Sequence, residues 1–288
     1  VPGRGSAQET ANDVGSALGR FLSEVIQDDM AVGVGWGRTL NASLQTFRPP
    51  PRTNTRIVSL LGGILEARWI NPIDYSWQVA SRLQAECMLF LAPLLVDSAA
   101  TKRRLIERCG LDRLFDQAAK LDLVVISCGD LATREGSIGL GILDAEVRDA
   151  ILKAGAVCDV CCNFLDTKGN TVKHGFADRL MNTDIDAIAG AGPVVLASGG
   201  AERAKAIRAA ILRTGCDTLI TDEAAAREDA AAEEPAAAED EPAEAEGVAE
   251  EPAEAEAEPT EPTEDADAED ADAEDADADP DAEEPRSS

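Results

Sequence analysis

The chain reads Met30-Ala31-Val32-Gly33-Val34-Gly35-Trp36-Gly37-Arg38-Thr39-Leu40 near its start. An apolar run that ends in glycines predicts a buried strand, and the polar pair Arg38-Thr39 predicts the start of a helix. Glycines let a backbone pass close to a ligand, and the first turn of a helix offers free N–H groups to an anion. We therefore expect a strand, a turn and a helix here, and the candidate ligand contacts are Gly35, Trp36, Gly37, Arg38 and Thr39.

The same strand–turn–helix order recurs along the chain. Apolar strands are predicted at 30–35, 56–61, 87–91, 121–127, 156–165, 193–197 and 218–221. Helices are predicted at 7–28, 38–45, 71–83, 98–109, 111–119, 144–153 and 201–213, with a short helix capped by Thr183. The turn at 166–170 predicts a hairpin with a return strand at 171–174. Strands that alternate with helices predict an α/β fold, with a Rossmann-like, mostly parallel sheet flanked by helices.

In such a sheet, ligands bind beyond the carboxyl ends of the strands. Small or polar residues follow further predicted strands at that edge: Gly62, Gly63, Gly129, Asp130 and Gly200. Arg203 lies in the first turn of the helix after Gly200 and is a second candidate cation beside Arg38. Asp130 and Asp159 are candidate acceptors for hydroxyl groups. One shared small-molecule pocket is the simplest explanation of turns that repeat at one edge.

Several of these residues also have a purely structural interpretation, which the sequence leaves open. Arg38 and Arg203 would then be surface cations, and Asp130 would cap a turn. Asp159 would be a buried partner inside a strand, and Trp36 would fill the core. The only histidine, His174, falls in the predicted hairpin.

Other common sites do not fit the residues. The spacing Gly33-x-Gly35-x-Gly37 differs from the dinucleotide fingerprint, and no lysine follows a glycine loop as in a phosphate-binding P-loop. A Ser–His–acid triad is not expected with one histidine. Cys158-x-x-Cys161-Cys162 has no second pair of ligands at zinc spacing. We therefore expect no catalytic residues, no metal and no cofactor.

Charge divides the chain unevenly. The sequence holds 55 acidic and 26 basic residues, and 29 of the acidic residues but only two of the basic ones lie in 223–288. We expect three regions: an N-terminal helix or linker at 1–28, a ligand-binding domain at 29–226, and a disordered acidic tail at 227–288. Seven cysteines, an odd number, favour reduced thiols in the cytoplasm. No apolar run is long enough to span a membrane.

Seven stretches in this order resemble the effector domain of SorC/DeoR-type sugar-binding transcriptional regulators. They are 34–40, 61–63, 71–72, 92–98, 155–159, 199–204 and 221–224. The resemblance covers roughly residues 10–226. Members often carry lysine at the position of Arg203, and glycine at the positions of Cys158 and Cys162.

The resemblance implies a NagB/RpiA-like fold of the sugar-phosphate isomerase type and a phosphorylated sugar as effector. It implies that the pocket is lined by Gly35–Thr39, Gly62-Gly63, the loop at Gly129, Asp159 and Gly200–Arg203. It also implies a homodimer or tetramer. Regulators of this type read DNA through a helix-turn-helix headpiece, and residues 1–28 are expected to form one helix. DNA contact is therefore expected only through a headpiece absent from this chain. The alternative is an isomerase or deaminase on the same fold.

Overall fold

A computed structural model describes residues 1–3, 5–65, 71–132 and 145–233 of the chain. Its α-helices are α1 (Ala7–Val25), α2 (Arg38–Ser43), α3 (Pro72–Leu83), α4 (Ala99–Arg108), α5 (Asp112–Ala118), α6 (Ala145–Lys153), α7 (Ile185–Ala191), α8 (Ala204–Thr214) and α9 (Glu223–Glu233). Its strands are β1 (Ala31–Val34), β2 (Arg56–Ser59), β3 (Glu86–Met88), β4 (Leu123–Ile126), β5 (Gly129–Asp130), β6 (Cys158–Val160), β7 (Asn163–Leu165), β8 (Val194–Ala197) and β9 (Thr218–Ile220).

The predicted α/β fold is confirmed. Six strands form one sheet in the order β3-β2-β1-β4-β8-β9, and every neighbouring pair in it is parallel. The strands β1 and β4 lie at the centre, and β4 is buried along its whole length. Because both faces of a parallel sheet are covered by crossover helices, such strands are apolar throughout. This is the pattern that the apolar runs of the sequence indicated.

One predicted strand is wrong. The run 156–165 does not join the parallel sheet; it is split into β6 and β7, which pair antiparallel with each other and with β5 in a second sheet. Cys161 and Cys162 have φ angles of 50° and 61°, and two consecutive left-handed residues reverse the chain between the strands. The predicted return strand at 171–174 is reduced to an isolated bridge between Leu165 and Thr171.

Helix caps follow the local sequence at two predicted helix starts and differ at a third. Asn71 accepts a hydrogen bond from the Ile73 N–H at the start of α3, and Ser98 accepts one from Thr101 at the start of α4. The predicted cap at Thr183 is wrong, because Asp184 caps α7 instead. The last helix, α9, runs to Glu233, beyond the predicted limit at 226.

Helix α1 holds helix α2 in place. Its buried stripe includes Val14, Leu18 and Leu22, each at most 1% exposed. A Cβ atom on Gly15 would lie 2.5 Å from the carbonyl oxygen of Thr39, and one on Gly19 would collide with α2 as well. The absence of these two side chains lets the backbones of α1 and α2 touch.

The chain divides into two units, 1–238 and 239–288. The predicted disordered tail at 227–288 overlaps α9 up to Glu233, and its remaining residues lie outside the described part of the chain. Within the described residues, the helices are too short or too polar to cross a membrane.

Candidate functional site

The central crevice of the sheet opens between the carboxyl ends of β1 and β4. The chain proceeds outward from β1 through β2 to β3, and outward in the other direction from β4 through β8 to β9. The strand order therefore reverses between β1 and β4, which is where open α/β sheets form a ligand crevice. The turns after β1, β4 and β8 are neighbours at this point.

The turn after β1 is held open by a glycine. Gly37 has φ +137°, and a Cβ atom there would lie 3.8 Å from Cβ of Ser127, the residue that follows β4. Gly37 also precedes α2 without offering a side-chain cap, so the first N–H groups of the helix receive no side-chain acceptor from it. Arg38 opens α2, which has six residues and is shorter than the predicted 38–45, and Thr39 is buried.

Two other residues of this turn have structural roles. Trp36 is 6% exposed and belongs to the main hydrophobic core, so its indole fills the core as the structural interpretation had it. The Gly35 N–H donates to the carbonyl oxygen of Val125 at 2.9 Å. A Cβ atom on Gly35 would lie 2.9 Å from Sγ of Cys161, so the hairpin of the small sheet covers this turn.

The turn after β2 uses its backbone N–H groups in hydrogen bonds to neighbouring segments. The Gly62 N–H donates to the Met181 carbonyl oxygen and the Gly63 N–H to that of Ala92, both at 2.8 Å. A Cβ atom on Gly62 would lie 2.7 Å from the oxygen of Ala92. These two glycines therefore shape a wall by close backbone approach, and their N–H groups are already occupied.

The two predicted carboxylates point to opposite faces of the small sheet. Gly129 lies opposite Asp159, and Asp130 lies opposite Cys158. Residues that face each other across strands share one face, and successive residues alternate. Asp159 therefore shares a face with Gly129, while Asp130 shares the other with Cys158. The structure does not bring the two carboxylates together as a pair.

Both carboxylates also hold backbone turns. Asp130 Oδ1 accepts a hydrogen bond from the Ala132 N–H at 3.1 Å. Asp159 is 3% exposed, and its Oδ1 accepts from the Cys162 N–H at 2.7 Å. Asp159 thereby stabilises the left-handed hairpin between β6 and β7, which has no glycine to relieve its strain.

The turn after β8 carries a buried cation. Arg203 is 6% exposed and ends the 3-10 turn Ala201–Arg203. Its Nη1 donates to the Gly199 carbonyl oxygen at 3.2 Å, while its Nε is buried without a hydrogen-bond partner among the described residues. A buried charge that lacks partners is costly, so this guanidinium favours an anion beside it.

Cys128 joins the turns after β4 and β8. The hydroxyl of Ser198 donates to the Cys128 carbonyl oxygen at 3.1 Å. A hydrogen bond with the Cys158 thiol, another with Ser198 and the charge of Arg203 together hold the pKa of the Cys128 thiol below its usual value, although burial opposes them.

The other cysteines of this region behave as buried apolar groups. Burial raises the pKa values of Cys158, Cys161 and Cys162. All seven cysteines of the chain are free thiols. In the described ranges, no cluster of three or more His, Cys, Asp or Glu side chains could hold a metal ion.

Sequence reasoning missed three residues of this edge, namely Ser127, Cys128 and Ser198. Ser127 and Ser198 directly follow β4 and β8, and Cys128 comes next after Ser127, so the rule that located the glycines could have found them too. Asp222, which bonds to the Gly200 N–H at 2.8 Å, was missed for a different reason. It follows the edge strand β9, and only the tertiary fold brings it under the turn.

A separate cavity of about 460 Å³ lies beside the hairpin and not in the central crevice. It is lined by the hairpin residues Cys162 and Asn163 and by Lys102 and His174, among others. Desolvation lowers the pKa values of Lys102 and His174, and nearby Asp178 opposes that shift in both. None of the predicted site residues lines this cavity.

Residues 1–228 match the family model Sugar-bind, described as "Putative sugar-binding domain". The chain belongs to this family. Among curated relatives, the sugar-binding domain is similar to the deoxyribonucleoside regulator of Bacillus subtilis, at 26% identity over 72% of this chain and 66% of the relative. It is also similar to the erythritol catabolism regulatory protein EryD of Brucella abortus, at 24% identity over 74% of this chain and 68% of the relative. The chain thus spans about two thirds of the length of these relatives.

Solved structures share the fold of the sugar-binding domain. A transcriptional regulator from Streptococcus pneumoniae superposes with a TM-score of 0.74 at 17% identity, covering 81% of this chain and 90% of that one. The full-length sorbitol operon regulator SorC from Klebsiella pneumoniae superposes with a TM-score of 0.70 at 20% identity, covering 77% of this chain and 73% of that one. The predicted resemblance to SorC/DeoR regulators is confirmed.

Proposed function

We propose that the sugar-binding domain binds a phosphorylated sugar in the crevice between β1 and β4, as the effector domain of a transcriptional regulator. The observation that carries this proposal is Arg203, whose buried guanidinium has an unpartnered Nε beside the carboxyl ends of the central strands. A phosphate accepts bidentate hydrogen bonds from arginine, whereas a neutral sugar would leave the charge uncompensated. Family membership supports the sugar part of the ligand.

The remaining groups suit the same ligand. Arg38 and the uncapped start of α2 offer a second positive region next to Ser127. The half-buried Ser127 hydroxyl can donate to or accept from a sugar hydroxyl, whereas the Ser198 hydroxyl is buried and already bonded to the Cys128 carbonyl oxygen. The glycines at 62 and 63 act as spacers in this proposal, since their N–H groups are occupied.

Calorimetry against a panel of sugars and their phosphates tests the proposal. We expect at least one phosphorylated sugar to bind and its unphosphorylated form to bind far more weakly. Arg38→Ala should weaken the phosphorylated ligand by roughly 1.5–3 kcal/mol, the scale of a charged hydrogen bond. A folded protein that binds no member of the panel would contradict the proposal.

Regulation is proposed from the relatives, which are named transcriptional regulators. In this proposal the ligand alters the DNA affinity of a homodimer or tetramer through a segment outside this chain. Light scattering with and without ligand measures the number of subunits in the oligomer.

The alternative function is an isomerase or deaminase activity, which would exchange a substrate proton in deuterated water. The separation of Asp130 and Asp159 onto opposite faces disfavours an acid–base pair.

A further inference from the structure

Asp222 is a buried acid that the proposed binding site does not yet use. It lies between β9 and α9 and is 2% exposed. Its Oδ1 accepts a hydrogen bond from the Gly200 N–H at 2.8 Å and one from the Ala225 N–H at 3.4 Å. A carboxylate at the start of a helix is also stabilised by the helix dipole. Asp222 therefore joins α9 to the turn that carries the buried cation.

Arg203 rests on the same turn through two carbonyl groups. The Arg203 N–H donates to the Gly200 carbonyl oxygen at 2.9 Å, and its Nη1 donates to that of Gly199 at 3.2 Å. A Cβ atom on Gly199 would lie 2.9 Å from Asp222 Oδ1, so the turn lies directly on the carboxylate. The position of the guanidinium thus depends on the bond between Asp222 and Gly200.

This bond also decides which groups are left for a ligand. Gly200 has φ +106° and was a candidate ligand contact, but its N–H is directed to Asp222. The Gly200 N–H is consequently not free to bind an anion at this turn, whereas the Arg203 side chain keeps an Nε without a hydrogen-bond partner among the described residues. The turn acts as a support for the cation.

Residues 1–3 lie next to Asp222. Val1 donates from its nitrogen to the Thr221 carbonyl oxygen at 2.7 Å, and the Glu223 N–H donates to the Val1 carbonyl oxygen at 2.9 Å. A Cβ atom on Gly3 would lie 3.1 Å from Asp222 Oδ2. Val1 is thereby bonded to both neighbours of Asp222, and Gly3 lies close to the Asp222 carboxylate.

We propose that Asp222 is a positioning residue, which presets Arg203 for the anionic group of the ligand and couples ligand binding to residues 1–3 and the start of α9. This inference rests on the proposed function, because it concerns the same sugar-phosphate site. Asp222 touches no ligand in it. Its effect passes through the Gly200 N–H to Arg203 on one side, and through Glu223 to Val1 on the other.

The test compares Asp222→Ala with Asp222→Asn, which keeps an oxygen acceptor for the Gly200 N–H. Calorimetry uses whichever sugar phosphate of the panel binds the wild type. We expect Asp222→Ala to weaken binding about tenfold or more, since the buried cation loses its support. Asp222→Asn should stay within about threefold of the wild type. The matched control is Asp184→Ala, which removes a helix-capping carboxylate at α7 and should leave the affinity unchanged.

Amide exchange by NMR supplies a readout that needs no ligand. The Gly200 amide should exchange faster in Asp222→Ala than in the wild type, and Asp222→Asn should restore its protection. In the wild type, saturating ligand should slow exchange of the Glu223 amide, and this effect should vanish in Asp222→Ala. If Asp222→Ala does not fold, Asp222→Ser, with a shorter acceptor, takes its place with the same expected loss.

The outcomes separate this inference from the proposed function. No binding by the wild type contradicts the proposed function, while the Gly200 exchange rates still decide whether Asp222 holds the turn. A wild type that binds, with an equal affinity in Asp222→Ala, overturns the positioning role. If Asp222→Ala and Asp222→Asn lose the same amount of affinity, the effect comes from the negative charge of Asp222. This result would also overturn the positioning role. If the exchange rate of the Glu223 amide does not change when ligand is added, the coupling is overturned.

Discussion

Arg203 donates through Nη1 to the Gly199 carbonyl oxygen at 3.2 Å, while its Nε is buried with no hydrogen-bond partner in the described part of the chain. The folded domain thus keeps a cation in its interior that its own carbonyl groups satisfy only in part. Desolvation of such a charge costs stability, and an anion that completes its hydrogen bonds recovers that cost. Under the proposed function, the effect of Arg203 on stability and its effect on ligand binding can therefore be measured separately.

Replacement of Arg203 by methionine should therefore affect binding more than stability. We expect Arg203→Met to have a free energy of unfolding equal to or above that of the wild type, because an apolar group of similar length replaces a buried charge. Its affinity for the sugar phosphate should fall by roughly 1.5–3 kcal/mol. Urea denaturation and calorimetry measure the two effects. Arg208→Met, which removes an arginine paired with Asp229, is the control and should bind as the wild type does.

The opposite pattern would contradict the role of Arg203 as a ligand contact. If Arg203→Met loses several kcal/mol of stability and keeps its affinity, the guanidinium is a structural group that supports the turn after β8.

Gly35 and Cys161 should be energetically coupled. Gly35→Ala is expected to lower the free energy of unfolding by roughly 1–3 kcal/mol, as overpacking does, because the added methyl group would lie 2.9 Å from Sγ of Cys161. In a Cys161→Ala background the same change should cost less, since the sulfur is gone. Urea denaturation of the four proteins measures the coupling. Gly190→Ala is the control, as nothing lies within 4 Å of a Cβ atom there. Equal losses in both backgrounds would exclude this contact.

Alkaline pH should weaken the domain through Tyr75. Burial raises the pKa of this tyrosine from 10.0 to about 12, against the opposing effect of a hydrogen bond with Ser43. Since the neutral phenol is favoured in the folded state, this contribution to stability is complete below about pH 10 and is lost as the pH rises through about 12. It amounts to about 2–3 kcal/mol.

The chain contains one tyrosine, so the ultraviolet absorbance of tyrosinate reports Tyr75 alone. Urea denaturation at several pH values between 9 and 12 should show a steeper loss in the wild type than in Tyr75→Phe. A phenol that titrates near its ordinary value in the folded protein would argue against the buried environment.

Cys87 should react slowly with alkylating reagents near neutral pH. Its half-buried thiol lies on the edge strand β3, and burial raises its pKa to about 11. Because the thiolate is the reactive form, its alkylation rate should rise about tenfold per pH unit from pH 8 towards 11. Peptide mapping by mass spectrometry measures the rate, with the exposed Cys109 as the internal reference for reagent activity. A rate that levels off below pH 10 would contradict the raised pKa.

Local sequence patterns predicted much of the architecture. Continuous apolar runs predicted the strands of the parallel sheet, because strands buried on both faces need no alternation. Asn71-Pro72 and Ser98 predicted helix starts, since a cap is satisfied within a few residues of itself. What these successes share is that the cause lies within one or two turns of the chain.

The sequence by itself determined the strands of the parallel sheet and the edge at which their carboxyl ends meet. Only the tertiary structure decided how the candidate groups are used. It reversed the chain at Cys161 and Cys162, where no glycine marked the turn, and it placed Asp130 and Asp159 on opposite faces. It also directed the Gly200 N–H to Asp222, which lies 22 residues away. A hydrogen bond between distant segments depends on where the whole fold brings them. Local residue patterns do not contain that information.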